Sequence, residues 1–265
     1  MPKKKIKALV IISVFLVIIL SFIGFVSGHY VVPILMYHSV NSKTDPVMKA
    51  LIVNPQTFER QMRFLRERGY NILPLESLAG LIREDKKLPS KAVAVTFDDG
   101  YKDFYKYAFP VLKKYKIPAT MFLIVDEVER PDRLSWDEIK EMQASGLITF
   151  GSHSMGAEPL IKISSEDELK RQIFYSKEVL EGKLACPVNI FSYPEGFLNK
   201  HIRELVIQAG YKLAVATKTG NCYPVKDLFV LKRVRISESA GNPFNLWAKV
   251  SGYHSFFKDN KKRCR

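Results

Sequence analysis

From Val31 to Ile236, short runs rich in valine, isoleucine and phenylalanine alternate with longer stretches whose apolar residues recur at helical spacing. The runs predict strands at 31–37, 72–73, 93–97, 118–125, 148–152, 188–193, 211–217 and 229–236. The intervening stretches predict helices at 54–68, 75–83, 104–115, from 136 onward, 164–184 and 200–209. Asn54-Pro55 opens the first helix, with Phe58, Met62 and Leu65 on its buried face. Ser135 followed by Glu138 is a capping box. Such alternation predicts an α/β fold with a parallel sheet, open or closed into a barrel.

The two ends differ from this core. Ala8–Gly28 carries no charge and is mostly Ile, Val, Leu and Phe. About 20 apolar residues span a bilayer as a helix. Lys3, Lys4, Lys5 and Lys7 would stay cytoplasmic and leave the remainder outside. A cleaved signal peptide ending near Val26-Ser27-Gly28 is the alternative. The expected organisation is a basic end plus apolar anchor (1–30), one α/β domain (31–257) and a basic tail (258–265).

The formal charge of +14 invites a nucleic-acid reading, but more than half of the excess sits at the two ends. Basic ends of this kind suit membrane surfaces. No zinc-finger spacing or recognition-helix pattern supports nucleic acid, and none is expected as a partner. Cys186, Cys222 and Cys264 fix no disulfide connectivity and have no metal-ligand spacing.

The polar residues are placed selectively. Val93-Ala94-Val95-Thr96-Phe97 runs into Asp98-Asp99-Gly100. His38, Asp98, Asp99 and His153 each end a predicted strand, as does Tyr193-Pro194-Glu195-Gly196. In a barrel that end carries the chemistry. Adjacent carboxylates there can divide labour, one holding a cation and the other acting as a base. Asp-Asp-Gly is also ordinary turn chemistry.

The segments Leu35-Met36-Tyr37-His38, Thr96-Phe97-Asp98-Asp99-Gly100-Tyr101, Ser135-Trp136-Asp137, Gly151-Ser152-His153-Ser154, Tyr193-Pro194-Glu195-Gly196 and Gly210-Tyr211 together resemble the polysaccharide deacetylase family, the NodB-homology or carbohydrate esterase family 4 proteins. With Leu-x-x-His near the N-terminus, the chain resembles the circularly permuted branch that includes poly-N-acetylglucosamine deacetylases. The resemblance implies a distorted (β/α) barrel, a divalent metal, most often Zn2+, and hydrolysis of the acetamide of N-acetylated sugars in a polysaccharide or peptidoglycan. It implies Asp98 as general base, Asp99 and His153 as metal ligands and His38 as general acid. His254 is the histidine nearest the C-terminus but lacks the Leu-x-x-His pattern. The Tyr193–Gly196 turn would meet the substrate and its oxyanion.

Two positions depart from the family pattern. The second metal histidine, four residues after His153, is Ala157, whose methyl cannot coordinate. Either Glu158 replaces it, or metal is held weakly, or the protein binds glycan without hydrolysing it. The arginine that orients the base in many relatives is absent near Ser192, and Arg233 on the last strand is the candidate to supply it.

Overall fold

In a computed structural model, the described residues are 12–21, 24, 30–43, 50–217 and 227–254. The chain divides into two units, Met1–Val31 and Val32–Arg265. In the first, residues 12–21 are helical, with Ile12, Phe15 and Leu20 exposed. Among the described residues no helix is long and apolar enough to cross a membrane. The rest of the expected span, Gly24 apart, lies outside the described residues, as do both basic ends, Cys222 and Cys264. Cys186 is a half-buried free thiol against the Gln143 amide.

The second unit is a closed parallel barrel. Its strands are β1 (Ile34–Tyr37), β5 (Ala92–Phe97), β6 (Ala119–Leu123), β7 (Ile148–Ser152), β8 (Ile190–Ser192), β9 (Leu213–Ala216) and β10 (Leu231–Arg235). They follow that order around the ring, and β1 closes it by pairing with both β10 and β5. The first residues of β5 pair instead with β4 (Asn71–Ile72). A short parallel pair, β2 (Ser39–Val40) and β3 (Ile52–Val53), forms the loop after β1.

Strand alternation sorts the side chains into two sets. Leu35, Tyr37, Val93, Val95, Phe97, Met121, Phe191 and Ala214 join the helices in one continuous apolar cluster. Their neighbours Ile34, Met36, Ala94, Phe122, Ile190, Leu213 and Leu231 are buried outside that cluster and fill the barrel interior. Tyr37 and Phe97 stack at 5.2 Å, with Phe58 edge-on to Tyr37 at 5.3 Å and Phe104 against Phe97 at 4.6 Å. The Tyr37 hydroxyl donates to Gln61 Oε1 at 3.0 Å. Residues 38 and 98 follow Tyr37 and Phe97 directly, so this aromatic lock fixes the ends of both strands.

The predicted elements recur with shifted ends. The stretch expected as one helix over 164–184 is helical but passes through a wide π turn at Arg171–Tyr175. A second π turn, Phe104–Ala108, precedes the helix Phe109–Tyr115. Two elements carried too little periodicity to be read: the β2–β3 pair and the helix Pro243–Val250.

Gly151, mid-β7 and inward-facing, leaves no room for a methyl group. A Cβ there would lie 2.7 Å from the Phe122 ring and 2.9 Å from the Ile190 carbonyl oxygen. Gly151→Ala is expected to cost about 1–3 kcal/mol by overpacking. In thermal denaturation this reads as a Tm lowered by several degrees, at about 2–4 °C per kcal/mol.

Candidate active site

Period-two alternation builds the site. Positions 36, 96 and 151 on β1, β5 and β7, 190 and 192 on β8, and 233 and 235 on β10 share the inward face, and 38, 98 and 153 carry that alternation one residue past the ends of β1, β5 and β7. At the C-terminal rim these faces converge on a cleft of about 460 Å³, lined by His38, Asp98, Asp99, His153, Ala157, the 193–196 turn, Arg233 and Arg235.

Asp98 lies at the centre and is 2% exposed. Arg233 clamps it bidentately, each terminal nitrogen donating to one carboxylate oxygen at 2.6 Å. The same guanidinium donates to Ser192 Oγ at 2.9 Å and packs over Phe122. Burial would raise the Asp98 carboxyl. Arg233, His153 and His38 outweigh burial and bring it down to about 2. Asp98 is therefore ionised at neutral pH with its position fixed.

Two imidazoles flank it. His38 Nε2 and His153 Nε2 each lie 3.9 Å from Asp98 Oδ2. Burial lowers the His38 pKa, against the opposing pull of Asp98 and Asp99. His38 Nδ1 is buried with no hydrogen-bond partner. His153 is oriented through its other nitrogen, Nδ1, which lies 2.7 Å from the Ser192 carbonyl. Nδ1 thus donates to that carbonyl, and Nε2 is the nitrogen turned to the cleft. Asp99 reaches the same cleft by a different route. Its backbone is left-handed, with φ 72°. That turn brings Oδ1 to 3.5 Å from His153 Nε2.

A polysaccharide deacetylase profile matches residues 85–214. The Bacillus subtilis protein YxkH, whose name places it among polysaccharide deacetylases, is 32% identical over 81% of this chain and 75% of its own length. The poly-beta-1,6-N-acetyl-D-glucosamine N-deacetylase of Staphylococcus aureus is 27% identical over 78% of this chain and 74% of its own. The structure of the Streptococcus pyogenes deacetylase PplD in complex with acetate superposes with TM-score 0.74 and 31% identity, covering 83% of this chain and 98% of that one. The chain belongs to the polysaccharide deacetylase family.

Within this family member the donor set is short. Asp99 and His153 fit two ligands of a divalent cation, a carboxylate oxygen and an imidazole nitrogen facing one another. Both Asp98 oxygens are held by Arg233, and among the described residues no group of three or more His, Cys, Asp or Glu is placed to hold a metal. Ala157 lies at the cleft wall. Glu158 is exposed and outside the lining, so the structure does not bring it to the Asp99–His153 pair.

The 193–196 turn lines the cleft but uses much of its own polarity. The Tyr193 hydroxyl donates to the Phe229 carbonyl at 3.0 Å, and the Gly196 N–H to the Tyr193 carbonyl at 2.8 Å. Glu195 and Gly196 are left-handed, with φ 53° and 74°. A Cβ at Gly196 would lie 1.9 Å from Thr217 Oγ1, so this position requires glycine.

Two positioning residues carried no motif signal of their own. Asp103 accepts from Ser39 Oγ and, at 3.2 Å, from the Val40 N–H, tying down the loop that follows His38. Ser192 receives Arg233 on its side chain and holds His153 on its carbonyl. Also in the cleft lining, Arg133 donates to Glu127 at 2.7 Å and stacks over Tyr101 at 4.1 Å. Burial and Asp99 push the Tyr101 hydroxyl up to about 12.

Arg233→Met removes the counter-charge from a buried carboxylate and is expected to cost about 3–5 kcal/mol at pH 7. In the native protein, the Asp98 contribution is present above the ordinary carboxyl pKa of 3.8 and is lost as pH falls towards about 2. In Arg233→Met burial dominates and raises the Asp98 pKa, so the variant loses less on acidification. Thermal denaturation at pH 7 and pH 4 should show the Tm difference narrowing at the lower pH.

Proposed function

We propose that this polysaccharide deacetylase family member is a metal-dependent hydrolase that removes acetyl groups from N-acetylated sugars of an extracytoplasmic polysaccharide or peptidoglycan. The observation that carries the reading is one ionised, Arg233-clamped carboxylate beside a facing Asp99–His153 pair, with His38 across the cleft. The Lys-rich start and the uncharged Ala8–Gly28 segment support tethering at the outer face of a membrane, with secretion after cleavage as the alternative.

Asp99 and His153 would hold the cation, with zinc favoured by their donor atoms. Bound there, a divalent cation supplies Lewis acidity, polarising an acetamide carbonyl and lowering the pKa of water from about 15.7 towards 7. Asp98, already ionised, takes the proton from the attacking water. Arg233 keeps both Asp98 oxygens in place while that proton arrives. His38, 3.9 Å from Asp98, would pass the proton taken up there to the departing amine, because an amine leaves only once protonated. Backbone donors of the Glu195 turn, at the cleft wall, suit the oxyanion.

A second reading, a glycan-binding protein without hydrolysis, draws on Ala157. Two protein ligands are fewer than the three that catalytic zinc sites normally keep.

Full-length protein supplied with zinc is expected to release acetate from N-acetylglucosamine oligomers. Asp98→Asn should lower that release by about 10²–10⁴-fold, the range of a lost general base. Failure to release acetate with zinc, cobalt, nickel or manganese, with oligomer binding intact, decides for the second reading.

Ala157→His should tighten divalent-cation binding by about tenfold or more, equivalent to about 1.4 kcal/mol. Calorimetric titration with zinc checks this without recourse to activity. Unchanged affinity would mean that residue 157 does not face the cation.

A further inference from the structure

Three arginines line the cleft: Arg133, Arg233 and Arg235. Two are committed. Arg233 is spent on Asp98, and Arg133 on Glu127 and Asp132. Arg235 differs. It is exposed at the cleft wall, and among the described residues its guanidinium has no acidic partner. Its backbone is nevertheless fixed. It ends β10 in register with Met36, the Ile236 N–H donates to the Met36 carbonyl at 2.9 Å, and Lys249 Nζ donates to the Arg235 carbonyl at 2.5 Å.

Its direction follows from the strand. Residues 231, 233 and 235 share one face of β10, and that face is inward. Leu231 fills the barrel and Arg233 meets Asp98. Arg235 stands two residues further out, about 6.6 Å along the strand at 3.3 Å per residue. A guanidinium with no counter-charge among the described residues thus sits at the mouth, one step outside the reacting centre, on a rigid strand end. A planar fork of donors in that position matches a carboxylate bidentately. A neutral sugar hydroxyl would leave its charge unanswered.

We propose that Arg235 is a specificity-determining residue, binding a carboxylate carried by the glycan on or next to the acetamido sugar that enters the cleft. The substrate class is then an acidic N-acetylated glycan rather than a neutral homopolymer. The carboxylate could come from a lactyl ether on the sugar or from a neighbouring uronic acid. Both present the same chemistry to the guanidinium. The inference rests on the glycan reading of the cleft, but it does not need hydrolysis to occur.

The test is calorimetric titration of the full-length protein with oligomers alternating N-acetylglucosamine and N-acetylmuramic acid, as free acid and as methyl ester. Oligomers alternating N-acetylglucosamine and glucuronic acid form a second arm, again with their methyl ester. In at least one arm the free acid should bind about fivefold more tightly than its ester, the order expected of a solvent-accessible bidentate pair. The arm that shows it identifies the source. Arg235→Gln should bring that ratio to about one, and Arg235→Lys should retain part of it. A ratio near one in the native protein in both arms, a ratio unchanged in Arg235→Gln, or no binding of any oligomer overturns the proposal. Acetate release is followed in parallel. A preserved ratio without acetate sinks the hydrolase reading alone, whereas acetate without a ratio sinks this inference alone.

Discussion

The mouth of the barrel depends on one buried ion pair. Asp98 is almost wholly removed from water, and a carboxylate so placed would ordinarily take up a proton. The bidentate Arg233 clamp reverses that preference and keeps the anion in a single orientation. The clamp also reaches Ser192, whose carbonyl orients His153. Asp98, Arg233, Ser192 and His153 therefore share one hydrogen-bonded frame across β5, β10, β8 and β7. A buried pair of this kind is costly to assemble and costlier to break, so its value lies in geometry rather than in stability.

Around that frame three residues take left-handed backbone at the rim. Asp99, Ser154 and Glu195 all adopt left-handed conformations just beyond the rim ends of β5, β7 and β8. Non-glycine residues resist that region, and each persists here because neighbouring structure holds it. For Asp99 the consequence is direct. Strand alternation would send it away from Asp98 to the outer face, and the turn brings it back to meet His153. Ser154 is held by its hydroxyl on the His153 and Gly156 carbonyls, which shapes the loop carrying Ala157.

The residues one step behind the site matter as much as those in it. Tyr37 and Phe97 precede His38 and Asp98, face the opposite way and interlock with Phe58 and Phe104. His38 and Asp98 are thus each anchored by the burial of an aromatic predecessor. Asp103 adds a polar tie to the loop after His38, accepting three hydrogen bonds while burial raises its pKa. Mutating such a residue would disturb the site without touching a substrate.

Much of this was written in the chain. Strand–helix alternation gave the fold class, because periods of 2 and 3.6 survive in the sequence whatever the tertiary contacts. The placement of His38, Asp98 and His153 at strand ends put them at one rim. The motif around Asp98 and Asp99 gave the family. The sequence also displayed its own exception, Ala157. Tertiary structure alone decided the rest. That Arg233 rather than Glu158 joins the site depends on ring closure by β1 and on the register of β10, which are non-local pairings. The turning of Asp99 into the cleft is a dihedral choice imposed by the packed strand behind it. That Arg235 meets no acid among the described residues, beside two arginines that do, is likewise visible only in the folded cleft. Local pattern fixes which face a side chain takes; only closure of the barrel determines what it meets there.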